Sequence, residues 1–389
     1  MSRPLILVAN PGSTSRKYAL FEGGSERARL RFELLNDVIL CTLRTDKEES
    51  VEVGVHTLDD SPAAILPILR SHGVLAEQER IDCIGLRIVA PGEYFLQDRK
   101  VDDAFMQHLE RAGEHAMLHV AGAQAELAQL REYLQDIPIA AISDSAFHQS
   151  KPEYAWNYGI ALDVADKHGI KRFGYHGLSV ESIAKQLAVH EKVIVCHMGG
   201  GVSVTALHSG KSVDTTMGFS PLEGVIMATR SGSIDLAAVN VLKKNLGLDD
   251  GATEEYLNQR SGLLALGGSA DVRTLLEREA QGDTRAHLAL ETYIYTIQKA
   301  IGQMAASLNG ADALVFTGAV GERSLPTRAR ILQKLTYLDF RVSDHQNAIQ
   351  HEANTVQEIH EGTTSKPVYV ISANEEKEIA ERTINVAFG

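Results

Sequence analysis

The chain has 389 residues, a formal net charge of −13 at pH 7 and 44% hydrophobic residues. Its length exceeds the roughly 250–300 residues at which a single hydrophobic core stops growing, so two cores are expected. The acidic balance, with a pI near 5.6, argues against broad nucleic-acid or anionic-membrane binding, and leaves any anionic substrate to be held by local donors. Cys41, Cys83 and Cys196 are scattered without metal-ligand spacing, which reads as free thiols in a reducing compartment. The apolar run from Leu5 to Ala9 is too short for a signal h-region or a membrane span, and a cytoplasmic location is expected.

In chain order, Leu5 to Ala9, the turn Asn10 to Ser15, then Lys17 and Tyr18 to Phe21 predict a hairpin whose turn is rich in small residues. Such turns expose backbone N–H groups that can cradle an anion. Ile84 to Val89 and Ile137 to Ile142 read as buried strands, and Asp102 to Glu114 and His119 to Leu134 as helices. Val193 to His197, Gly199-Gly200-Gly201 and Val202 to Leu207 repeat the opening design about half a chain later. Two such loops predict a duplicated domain whose copies face one phosphate-bearing ligand across a cleft; two unrelated hairpins are the alternative. Leu290, Ile294, Ile297, Ile301, Met304 and Leu308 form a stripe at helical spacing that ends at Asn309-Gly310, as a C-cap would. The strand Ala313 to Phe316 leads into Thr317 to Glu322, read as a third small-residue turn, and Glu375 follows the strand Val368 to Ile371 at the start of a C-terminal helix. No Pro/Ser linker separates the halves, so the boundary is inferred near Asp144 to Lys151.

Three motifs fail on inspection. The run Thr205 to Ser212 ends like a P-loop but has Thr205 where the first glycine belongs, and reads as a plain turn; Gly199 and Gly201 begin a dinucleotide fingerprint that ends in Val204. No GxSxG elbow is present. What remains are polar residues at strand ends. Arg87 and Arg230 offer planar forks for carboxylate or phosphate, with a surface salt bridge as the alternative for each. Asp144 could hold Mg²⁺ or orient a nucleophile, or cap a helix. His176 lies between glycines, as a residue projecting into a cleft would; taken singly, His119, His148, His176 and His197 are more often structural.

At these residues the chain resembles the acetate kinase family of short-chain carboxylate kinases, over nearly its whole length. Asn10 to Lys17 is similar to the family's Asn-x-Gly-Ser-Ser-Ser-x-Lys signature, Arg172 to Gly177 to its Arg-Tyr-Gly-Phe-His-Gly, and the longest match runs from Asp214 to Gly224 and on to Thr229-Arg230-Ser231-Gly232. The resemblance implies an α/β fold of two duplicated ribonuclease H-like domains, the acetate and sugar kinase, Hsp70 and actin architecture. The expected domains are 1–148, joined by the C-terminal helix 375–389, and a nucleotide-binding domain, 149–374. It further implies reversible in-line transfer from ATP to acetate, giving ADP and acetyl phosphate, with Mg²⁺ (Mn²⁺ as a substitute), in a homodimer. By motif, Arg87 and Arg230 would bind the carboxylate and phosphoryl groups. His176 and Arg230 would stabilise the transition state, with Asp144 assisting, and Asn10 and Glu375 would support the metal. Val89, Leu118, Tyr175 and Pro221, with Arg87, would form the acceptor pocket.

The nucleotide would meet Lys17, His197, Met198, Gly199, Gly200, Gly201, Asp271, Val272, Arg273, Ala319, Val320, Gly321, Glu322 and Arg323. Departures from the family pattern include Gly200 for Asn, Tyr175 for Phe, and Ala319, Val320 and Arg323 in the Gly-Ile-Gly-Glu-Asn segment, which mark a divergent branch. Propionate as acceptor, pyrophosphate as donor and a non-catalytic nucleotide-binding relative are the alternatives.

Overall fold

The computed structural model describes residues 3–12, 15–35, 38–114, 117–187, 189–352 and 355–389, without the side chains at 35 and 117–119. Ser13, Thr14 and the side chains of Leu118 and His119 therefore lie outside the described residues. The chain divides into two units, Met1–Ala146 with Asn374–Gly389, and Phe147–Ala373.

In the first unit β1 (Leu5–Pro11), β2 (Ser15–Glu22), β3 (Ser25–Leu35), β4 (Val38–Arg44) and β5 (Glu48–Val51) form an antiparallel meander. On the other side of β1, β6 (Cys83–Ile88) and β8 (Ile139–Ser143) pair in parallel, and β7 (Arg99–Lys100) closes that edge antiparallel to β8. The sequence explains which strands are central. Leu5 to Asn10 are all buried, as a continuous apolar run covered on both faces must be, whereas β4 alternates exposed and buried residues and so has one open face. The helix Glu375–Phe388 returns to lie on β1, β6 and β8. Gly85 allows that approach: a methyl group there would stand 2.0 Å from Oγ1 of Thr383.

The second unit repeats the order of pairings. β9 (Lys192–Met198), β10 (Val202–His208) and β11 (Lys211–Thr215) form a meander; β12 (Ala313–Thr317) pairs parallel to β9, β14 (Val368–Ile371) parallel to β12, and β13 (Val356–Glu358) antiparallel to β14. Ser209 and Gly210, at φ 48° and 74°, make the two-residue hairpin turn, so the P-loop-like run is a turn. The apolar stripe lies on the helix Thr284–Leu308, which packs on this sheet. Asp283 caps its start, accepting from the N–H groups of Arg285 and Ala286, and Asn309 ends it at φ 51°. One expectation needs correcting. Thr317 to Glu322 is not an open turn: Gly318, at φ 79°, makes the bend by itself, and the chain enters the short helix Gly318–Arg323 directly. Among the described residues no helix is long and apolar enough to cross a membrane.

Candidate active site

In the first unit four of the expected residues meet where β1, β6 and β8 end and the C-terminal helix begins. Arg87, near the end of β6, holds Asp144 bidentately, Nε to Oδ1 at 3.2 Å and Nη2 to Oδ2 at 2.9 Å. Its Nη1 donates to Oδ1 of Asn10 at 3.3 Å and lies 3.9 Å from Oε2 of Glu375. Asn10 in turn donates from Nδ2 to Glu375 at 2.8 Å and to Glu376 at 3.1 Å. Burial works against the charge of Arg87, but Asp144 and Glu375 overcome it and hold the guanidinium above its ordinary range. Arg87 is therefore not a surface salt bridge, and Asp144, fully buried, serves as its bidentate partner.

Two members of this cluster were not foreseen. Glu376 is buried and pairs with Arg29 of β3 at 3.4 Å. The signal available in the sequence was the Glu375-Glu376 doublet, but Asn10, which bonds both, lies more than 360 residues away.

The first glycine turn is braced from below. Lys17 pairs in register with Asn10 across the hairpin, and Nη1 of Arg16 donates to the carbonyl of Gly12 at 2.5 Å. Arg16 also bonds Asp59 at 2.6 Å and lies 3.3 Å from Glu126, whose buried carboxylate accepts from the Tyr18 hydroxyl at 2.7 Å. Val89 follows β6, half-buried.

In the second unit His176 and Arg230 converge on one glycine. A methyl group on Gly201 would stand 3.1 Å from Nη1 of Arg230 and 3.2 Å from both Cε1 and Nε2 of His176. The His176 and His197 rings are 4.4 Å apart, and Nδ1 of His176 lies 3.0 Å from the hydroxyl of Ser203, another residue the sequence reading missed. Nη1 of Arg230 lies 3.5 Å from the carbonyl of Pro221. The loop bearing Pro221 is fixed in turn. The Tyr175 hydroxyl donates to the Phe219 carbonyl at 2.6 Å, and Glu223 is bonded by Tyr158 and by Arg172. That last pair ties two of the sequence motifs together. His148, fully buried, bonds Ser212 and the carbonyl of Tyr175.

The glycine loops are also neighbours. Because β9 and β12 pair with Thr317 opposite His197, the chain around Gly318 passes over Met198. Gly199 donates to the carbonyl of Gly201 at 2.9 Å. Glu322 accepts from the Gly318 N–H at 3.0 Å and from Ser372 at 2.9 Å, while Ala319, Val320 and Arg323 fill out the short helix. The buried guanidinium of Arg328 bonds the carbonyls of Gly321 and Glu322, both at 2.8 Å. Asp271, Val272 and Arg273 form no described hydrogen bond with these loops: Asp271 caps the helix Val272–Ala280 and pairs with Arg273, which is exposed. Cys196 is fully buried, and burial pushes its thiol far up, so it has no nucleophilic role.

Comparison with known proteins decides what this geometry belongs to. The model of the acetokinase family matches residues 5–381. The chain belongs to the acetokinase family. Its relatives include the acetate kinases of Heliobacterium modesticaldum, 36% identical over 99% of this chain and 100% of that protein, and of Methanosarcina thermophila, 35% identical over 97% and 96%. Among solved structures, a propionate kinase from Francisella tularensis superposes with a TM-score of 0.88 at 30% identity, covering 98% of this chain and all of that one. An acetate kinase from Porphyromonas gingivalis gives 0.83 at 29%, covering 98% and 99%. Like these acetokinases, the chain has the duplicated ribonuclease H-like fold, one copy built on each of its sheets. The family's phosphoryl donor and product are ATP and ADP.

Proposed function

We propose that the chain is an acetate kinase, catalysing reversible transfer of the γ-phosphoryl group of ATP to acetate. Family membership supplies the reaction class. The observation that supports the site most directly is the convergence of Arg230 and His176 on Gly201, which sets a guanidinium and an imidazole nitrogen beside a backbone that carries no side chain. A phosphoryl group in transfer carries its charge on equatorial oxygens, so positioned donors matter more than a base. Acetate is ionised near neutral pH and needs none. One of its oxygens forms the new bond to phosphorus while the bond to the β,γ-bridging oxygen breaks, and ADP leaves.

Arg230 and His176 stabilise the charge in transfer, and the loops at Gly199–Gly201 and Ala319–Arg323 take the nucleotide, with Lys17 and the Asp271–Arg273 segment assigned to the same ligand. Arg87, held in place by Asp144, presents its remaining donor edge to the acceptor carboxylate. Val89, Leu118, Tyr175 and Pro221 are assigned by motif to the apolar part of the acceptor. Tyr175 adds no polar group there, because its hydroxyl is committed to the Phe219 carbonyl.

Oxygen donors of Asn10 and Glu375 suit Mg²⁺, which is commonly held by one or two carboxylates together with substrate phosphates. They would hold it here, with Glu376 orienting Asn10; when bound, the ion would neutralise phosphate charge. A cytoplasmic homodimer completes the proposal. The dimer is supported by the helix Leu236–Leu246, none of whose residues is buried and in which Leu236, Val241 and Leu246 stand 73%, 58% and 52% exposed.

Propionate is the second acceptor to test, because the propionate kinase of Francisella tularensis superposes so closely. Hydroxylamine trapping of acyl phosphate, with acetate, propionate and butyrate against ATP, GTP and pyrophosphate, ranks these choices. Product from acetate and ATP is expected. No product with any pair, beside nucleotide binding by calorimetry, would replace the proposal with a non-catalytic nucleotide-binding relative.

A further inference from the structure

His176 sits at φ 60° and ψ 22°, at the start of the helix Gly177–Gln186. A non-glycine residue stays in that region only where its surroundings hold it. Three contacts within its unit do so. His148 Nε2 bonds the Tyr175 carbonyl at 2.9 Å, the Val180 N–H donates to the His176 carbonyl at 3.0 Å, and Nδ1 of the ring lies 3.0 Å from Ser203 Oγ. The first two act on the backbone and the third on the imidazole. Ser203 is fully buried in β10, within the run Val202 to Leu207 and opposite His197 in register. A buried hydroxyl without a partner costs about 1–3 kcal/mol. A serine at this point of a buried strand is therefore coupled to the ring it bonds.

We propose that Ser203 is a positioning residue for phosphoryl transfer: it donates its hydroxyl proton to Nδ1 of His176 and so fixes the Nε2-protonated tautomer, with Nε2–H turned to the Gly201 edge beside Arg230. The inference rests on the kinase reading of this site. An anion at that edge is stabilised by donors, and a neutral imidazole has only one N–H. Were that proton on Nδ1, a lone pair would face the phosphoryl oxygens. With Ser203 supplying the hydrogen bond to Nδ1, the imidazole N–H and the guanidinium of Arg230 both donate toward the same place.

The test uses the full-length enzyme labelled with ¹⁵N-histidine. Acyl phosphate formation by the wild type is measured first and judges the kinase reading separately. The imidazole ¹⁵N shifts of His176, assigned by their loss in His176→Ala, are expected to show protonated Nε2 and unprotonated Nδ1. A protonated Nδ1 in the neutral ring would overturn the proposal whether or not the enzyme is active. Ser203→Ala is expected to lower kcat about 10- to 100-fold with both KM values within about twofold, and Ser203→Thr to recover most of the loss. In a His176→Ala background Ser203→Ala should cost nothing more, since it acts through the ring. A full further loss there would overturn the positioning role. Should Ser203→Ala fail to fold, the wild-type tautomer still decides the matter.

Discussion

In the first unit Arg87 is gripped by a bidentate carboxylate and flanked by Glu375, whereas in the second His176 and Arg230 meet over a glycine, with a serine hydroxyl and a carbonyl among their neighbours. The difference separates two duties. A cation braced by buried carboxylates is part of what holds its unit together, and removing it leaves those carboxylates without compensation. A cation whose described neighbours are a glycine, a carbonyl and an imidazole can direct its charge to a ligand, and its loss is felt in the reaction.

The sharpest way to break this contrast is to remove each arginine in turn. Arg230→Ala is expected to lower kcat by about 10²–10³-fold, the range for deleting one positioned donor, with thermal unfolding close to wild type. Arg87→Ala should abolish activity and also cost about 3–5 kcal/mol of stability in urea denaturation, because the buried Asp144 would lose its bidentate cationic partner. Equal stability losses in the two variants would show that the division of labour is wrong.

Gly201→Ala probes the second unit more finely. The added methyl would press within 3.2 Å of both His176 and Arg230, and displacing reacting groups by about 1 Å can cost about 10²-fold in turnover. Steady-state kinetics should show most of that loss in kcat. A variant with unchanged kcat would mean that the two side chains do not need that edge.

Much of this was legible in the sequence, for reasons that the structure makes plain. The two hairpins were readable because β-branched runs flank turns of small residues, and the helix Thr284–Leu308 because its stripe and its Asn309 cap agree. Arg87 and Asp144 stood out as polar residues at the ends of apolar strands. Their mutual grip was not legible, since nothing local couples residues on two strands that are parallel neighbours only after folding. Glu376 and Arg29 were hidden in the same way. Ser203 offered a weak signal, a hydroxyl inside an apolar strand, but its partner depends on how His176 is turned. The segment after Thr317 was misread because a glycine-rich run suits both a turn and a short helix, and Gly318 completes the bend within one residue.

A smaller effect checks the packing behind the first unit's charges. Gly85→Ala would drive a methyl group against Oγ1 of Thr383, and is expected to cost about 1–3 kcal/mol in urea denaturation. Thr383→Ala should relieve part of that loss, so the double variant is more stable than the sum of the singles. Strict additivity would mean that the helix Glu375–Phe388 shifts away as a body, in which case Glu375 moves with it and activity should fall together with stability.

The smallest expected effect concerns Glu126, a carboxylate of the first unit whose burial outweighs its partners. Burial pushes its carboxyl from 4.5 up to about 7, against the opposing pull of Tyr18 and Arg16 and with a small push from Asp59. The folded state then keeps a proton that the unfolded chain has already released, so this group's contribution to stability falls as pH rises from about 4.5 to about 7. Glu126→Gln keeps an acceptor for the Tyr18 hydroxyl and removes the titration. Relative to wild type, the variant should gain on the order of 1–3 kcal/mol between pH 5 and pH 8, measured by urea denaturation at both pH values. Parallel behaviour of the two proteins would show instead that Arg16 keeps Glu126 ionised throughout, and that the first unit pairs this interior charge as firmly as it pairs Arg87.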